Sequence, residues 1–169
     1  MSRHISVLPA DEWPSKVVRH TVTFVRHAEK AGPGFSADVT DRGRRDAFEA
    51  GKRIRYPVDL FLASPSPRTR STAEAIRDGN GSSAPVLVEE QLAEPGLGLY
   101  SEFRPAMRAF FLSIRSIIEE NRAETVVAVT HNYVLEYVAA VFGTAGADPA
   151  LLSGVTVNLE DLCQASETL

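Results

Sequence analysis

The chain has 169 residues, of which 44% are hydrophobic and 24% charged, and a formal net charge of −4. That length buries a core without staples, and we read residues 1–169 as one domain with its motifs between about 21 and 143. One cysteine, Cys163, excludes an intramolecular disulfide framework and a multi-cysteine zinc site, and the acidic balance gives no reason to expect nucleic-acid binding. The opening segment MSRHISVLPADEWPSKVVRH has no apolar run of signal-peptide length, and no later stretch reaches membrane-spanning length, so the expected setting is cytoplasmic, away from membranes.

In chain order, Thr21 to Val25 form an apolar, β-branched run without polar alternation, as in a strand covered on both faces, and it stops at Arg26 and His27. Gly-Pro-Gly in AGPGFSADV reads as a loop. Thr40 stands where a helix N-cap belongs, ahead of DRGRRDAFEAGKRI, whose apolar face is Ala47, Phe48 and Ile54. Residues 58–64 read as a second buried strand, broken by Pro65 and Pro67 before a helix with Thr72, Ala73 and Ile76 on one side. DGNGSSAP reads as a surface turn, and VLVEE as a short extended piece.

From Glu102, the spacing of Phe103, Met107, Phe110, Phe111, Ile114, Ile117 and Ile118 predicts a long amphipathic helix whose aromatics are core. Residues 125–130 repeat the opening theme, an apolar strand ending at His131, followed by the helix NYVLEYVAAVFG. Residues 155–159 suit a last edge strand. Strands alternating with helices imply an α/β fold, a three-layer α/β/α sandwich around a mostly parallel sheet. In such a sheet the strand ends carrying Arg26, His27, Ser64 and His131 share one edge, with Arg68 close by.

Two imidazoles and two guanidinium groups at one edge suit a tetrahedral anion, because guanidinium forks match phosphate oxygens and keep their charge. A neutral imidazole can attack phosphorus, and His27, flanked by Arg26, is the better nucleophile candidate. The N–H of Asn132, at the start of the helix after His131, would favour an anion. A leaving alkoxide needs a proton, and the candidate donors are Glu94, in QLAEPGLG, and Glu29. Arg42, Arg44 and Arg45 read as a solvated face of mixed charge, and Lys30 as a solvated lysine or a contact for a second anionic group. His4 and His20 read as exposed, and Trp13 as an anchor for the N-terminal arm.

Several motifs in order resemble the histidine phosphatase superfamily, which contains the cofactor-dependent phosphoglycerate mutases. They are the strand and Arg-His of TFVRHAEK, the helix start TDRG, the segment SPSPRTRSTA, the Leu-x-Glu of LAE and the strand-borne histidine of VTHNYVLE. Size and the SP and HN contexts are closest to the compact phosphohistidine-phosphatase-like branch. The resemblance implies the phosphoglycerate mutase-like fold, a phosphorylated His27, a phosphoryl group held by Arg26, Arg68 and His131, Glu94 as proton donor, and neither metal nor cofactor. Ala28 and Asn132 stand where many members have glycine. The implied activity is metal-independent hydrolysis of a phosphomonoester or phosphoprotein, so the expected partner is a phosphorylated small molecule or protein. The alternatives are a phosphotransferase or mutase using the same intermediate, and a non-catalytic module that binds phosphorylated ligands.

Overall fold

A computed structural model describes residues 8–13, 20–93, 103–143 and 150–168. Its strands are β1 (Thr21–Arg26), β2 (Leu60–Ala63), β3 (Val86–Val88), β4 (Thr125–Thr130) and β5 (Gly154–Asn158), and its helices are α1 (Asp41–Arg53), α2 (Pro67–Asn80), α3 (Phe103–Asn121), α4 (Asn132–Val141) and α5 (Leu159–Thr168). Among the described residues the strands form one sheet in the order β3-β2-β4-β1-β5. The pairs β3–β2, β2–β4 and β4–β1 are parallel, and β5 runs antiparallel to β1 at the edge. The mostly parallel three-layer sandwich is therefore present.

Side chains of a strand alternate between faces, and both faces here are apolar. Val22, Phe24, Leu60, Leu62, Val126 and Ala128 join the cluster formed with α3, α4 and α5, whereas Val25, Phe61, Ala63, Val127 and Val129 join the one beneath α1 and α2. Double coverage explains why the strands read as unbroken apolar runs. Burying Phe24, Phe61 and Phe111, each 0% exposed, contributes roughly 1.5–3 kcal/mol per side chain before entropy is counted.

On α3, Met107, Phe110, Phe111, Ile114 and Ile118 are buried in the first cluster as the spacing predicts, and the side chain of Phe103 lies outside the described residues. Trp13 is also core, packed in the second cluster near Gly154, while Leu8 bridges Gly154 on the outer side of β5. His20 is exposed. His4 lies outside the described residues.

Two sequence expectations need correction. Phe48 is 40% exposed, and α1 packs instead through Gly43, Ala47, Ala50 and Gly51. A Cβ added to Gly51 would stand 2.1 Å from the carbonyl oxygen of Ile76, and one added to Gly79 2.0 Å from that of Phe48, so α1 and α2 touch backbone to backbone. Second, Asp78, Gly79 and Asn80 belong to α2 rather than to a surface turn; the helix ends at Gly81, whose left-handed φ of 72° suits glycine. Residues after β5, for which the sequence carried no assignment, form α5, which places Leu162 and Ala165 in the core.

Candidate active site

The sheet order makes β2, β4 and β1 neighbours, and their registers align their ends. Arg26 pairs with Thr130, and Ala63 with Val129. The residues just beyond stay in line, with His27 N–H donating to the Thr130 carbonyl at 3.0 Å and Ser64 N–H to that of Val129 at 3.2 Å. Ser64, His131 and His27 thus stand side by side at the carboxyl edge of the sheet, where open α/β folds bind ligands. Adjacent strands lie about 4.8 Å apart, and the rings of His27 and His131 meet edge to face with centroids 5.5 Å apart.

Arg68 arrives from α2. Ser66 caps this helix, its hydroxyl accepting from the Thr69 N–H at 3.4 Å, and Pro67 occupies the first helical position, where its missing N–H costs nothing. The next residue, Arg68, is only 4% exposed. Its guanidinium Nη2 donates to Nδ1 of His131 at 3.1 Å, and its Nη1 to the carbonyls of Phe35 at 3.1 Å and Gly34 at 3.5 Å. Arg26, the last residue of β1, is half-buried, and its charge reaches His27.

Hydrogen-bond chemistry fixes both imidazole tautomers. A carbonyl oxygen only accepts, so Nδ1 of His27, 2.7 Å from the Ala28 carbonyl, carries the proton and Nε2 carries the lone pair. Arginine only donates, so Nδ1 of His131 is the acceptor and its Nε2–H donates to Ser64 Oγ at 2.8 Å. Ser64 Oγ in turn lies 2.8 Å from Thr69 Oγ1. Burial is the main cause holding both rings neutral. It lowers His27 from 6.5 to about 4, assisted by Arg68, Arg26 and Lys30 against the opposing pull of the Ala28 hydrogen bond. His131 falls to about 3 through burial and then the charges of Arg68, His27 and Lys30.

Thr72 ties the segment after β1 to α2. Its hydroxyl accepts from the Ala28 N–H at 3.0 Å and donates to the Arg68 carbonyl at 2.6 Å. Glu29 is drawn toward α1, where its Oε2 accepts from the Thr40 hydroxyl at 2.7 Å while Thr40 Oγ1 caps the Gly43 N–H. A Cβ on Gly43 would lie 2.6 Å from the Glu29 carbonyl oxygen, so glycine lets the segment after His27 close onto the helix. Asn132 opens α4, and its Nδ2 donates to Glu136 at 2.6 Å. Arg44 reaches Asp38 and Ser71 at 3.5 Å, and Arg42 pairs with exposed Asp46.

Glu94 lies outside the described residues. The chain leading to it is anchored at Leu92, whose carbonyl accepts from Thr130 Oγ1 at 2.7 Å. Among the described residues, no three histidine, cysteine, aspartate or glutamate side chains stand close enough to hold a metal ion, and no helix is long and apolar enough to cross a membrane. The structure brings His27, His131, Arg68 and the end of β1 together as the alternation of strands and helices implied. Sequence reasoning missed the hydroxyl of Thr72 as a clamp, although Thr72 sits four residues after Arg68, one helical turn along. Nor did it signal the contact of the Phe35 carbonyl with Arg68.

A family model described as the histidine phosphatase superfamily (branch 1) matches residues 16–111. The protein named "Probable phosphoglycerate mutase GpmB" from Erwinia tasmaniensis is 31% identical over 87 residues, covering 51% of this chain and 40% of its own. The lipopolysaccharide core heptose(II)-phosphate phosphatase of Salmonella paratyphi B is 23% identical over 146 residues, 83% of this chain and 66% of the relative. The chain thus spans less than two thirds of either curated relative. The solved structure of the protein histidine phosphatase SixA complexed with tungstate superposes with a TM-score of 0.59 at 19% identity, over 83% of this chain and 90% of that one, a likeness of fold.

Proposed function

The chain belongs to the histidine phosphatase superfamily, and from that premise we propose that it is a phosphatase acting on a phosphomonoester or phosphoprotein through a phosphohistidine formed on Nε2 of His27, without a metal. The observation that carries this reading is the 2.7 Å hydrogen bond from His27 Nδ1 to the Ala28 carbonyl, which directs the lone pair to Nε2. A ring kept neutral down to about pH 4 is a competent nucleophile at neutral pH.

In the first step the Nε2 lone pair forms the N–P bond as the bond from phosphorus to the leaving oxygen breaks. Arg26, Arg68 and His131, with the N–H of Asn132, hold the phosphoryl oxygens as charge spreads over them. The leaving oxygen takes a proton from Glu94, with Glu29 the second candidate. Water then gives a proton back to the same carboxylate as its oxygen attacks phosphorus, the N–P bond breaks and its electron pair returns to Nε2, releasing inorganic phosphate. A bound phosphate dianion would draw His131 back toward protonation, turning its Nδ1 from an acceptor of the Arg68 hydrogen bond into a donor for phosphoryl oxygen, while His27 Nε2 keeps its lone pair for attack.

The test is hydrolysis of an aryl phosphate with EDTA present, run beside His27→Ala. Activity that survives EDTA and disappears in the variant supports the mechanism; activity retained by the variant, or abolished by EDTA, overturns it. A mutase reading has one observation in its favour, the name of the relative matched over half the chain. Following labelled phosphate in the presence of alcohol acceptors separates transfer from release to water.

A further inference from the structure

Between β1 and α1 the chain makes a closed loop at the rim of the site. Ala31 N–H donates to the Asp38 carbonyl at 2.7 Å, Lys30 bridges Val39 antiparallel, and Gly34 takes the left-handed φ of 95° that the tip requires. Phe35 stands at that tip. Its carbonyl accepts from Arg68 Nη1 at 3.1 Å, and the guanidinium carbon lies 5.9 Å from its ring centroid. Phe35 is 75% exposed, more than any other large apolar residue among the described residues.

An exposed phenylalanine by itself is ordinary surface. This one differs in what holds it. Backbone and ring both rest on the guanidinium that reaches His131, so the distance of the phenyl face from the anion site is set by two contacts to a single buried side chain. The ring leaves most of its area to water while lying beside the guanidinium that reaches His131.

We infer that Phe35 is a specificity-determining residue: an aromatic platform on the Arg68 side of the site, receiving a flat apolar group carried by the phosphoryl group. The substrate class it fits is phosphorylated compounds whose organic part is aromatic or similarly broad and apolar, because such a group covers the phenyl face and stacks on it. The inference rests on the reading of His27, Arg68 and His131 as the phosphate site. Substitution at position 35 leaves the backbone carbonyl available to Arg68, so the platform can be removed while the grip on the anion stays.

Two phosphonates that cannot be hydrolysed, methylphosphonate and 1-naphthylmethylphosphonate, separate platform from anion grip when titrated calorimetrically into the wild-type protein and Phe35→Ala. The wild type should bind the naphthyl compound about tenfold more tightly, and the variant should reduce that ratio to about twofold or less with methylphosphonate affinity nearly unchanged. An absent preference in the wild type, a preference that survives in the variant, or an equal loss for both ligands overturns the platform while leaving the phosphate site standing. Failure of the wild type to bind either phosphonate refutes the phosphate site and the platform with it. An unchanged thermal midpoint, expected for so exposed a side chain, shows that the variant is folded.

Discussion

His27 and His131 occupy equivalent places, each the first residue past a buried parallel strand, with their rings 5.5 Å apart. Their surroundings differ in one respect that decides the chemistry. His27 leans on the adjacent backbone, giving one nitrogen to the Ala28 carbonyl and leaving the other with its lone pair, whereas His131 has both nitrogens engaged by side chains, Arg68 on one side and Ser64 on the other. Position in the sheet brings two imidazoles into range. The hydrogen-bond partner assigns the role.

The sharpest way to break this contrast is to exchange the losses. His27→Ala should lower kcat on an aryl phosphate by about 10^4-fold or more and abolish the acid-labile phosphoenzyme expected with labelled substrate. A phosphoenzyme that persists in His27→Ala and vanishes in His131→Ala would reverse the assignment. The expected loss for His131→Ala is about 10²- to 10³-fold, the scale of removing one group that holds developing charge, with labelled enzyme still forming slowly in rapid-quench experiments.

Ser64→Ala is milder. It removes the acceptor that orients the His131 Nε2–H, and about a tenfold fall in kcat is expected, with His27 labelling retained; a loss as large as that of His27→Ala would show that Ser64 does more than orient the ring.

The smallest effect is on pH dependence. Both folded pKa values lie below the ordinary 6.5, so on acidification the unfolded chain takes up protons that the folded site refuses. The stability due to neutral His27 and His131 is complete above about pH 6.5 and is lost as pH falls toward about 4 and about 3 respectively. Chemical denaturation across this window should give a steeper decline for the wild type than for His27→Ala, and the acid limb of kcat/KM should fall near pH 4. Parallel slopes would mean that His27 titrates normally.

Much of this site was legible because it is built on strand ends. A buried parallel strand is a long apolar run, and the residue that terminates it is easy to find, which is how Arg26, His27 and His131 stood out. Pro65 and Pro67 likewise announced the helix start that carries Arg68. What stayed hidden depends on three-dimensional neighbours. Thr72 reads as one polar residue on a helix face until the register of β1 brings the Ala28 N–H to it. The contact between α1 and α2 is made by glycines, which carry no apolar signal, so the periodicity favoured Phe48 instead. The terminal helix α5 buries Leu162, Ala165 and Ser166, a stripe too short and too small to outweigh its polar composition.

The meeting of Gly51 with Ile76 and of Gly79 with Phe48 lies at the far ends of α1 and α2. At their near ends the two helices bear Thr40, which restrains Glu29, and Arg68. They behave like the arms of tweezers welded at the base. A single methyl added at position 51 or 79 would pry the base apart, and catalysis would register the disturbance a whole helix length from where the chemistry occurs.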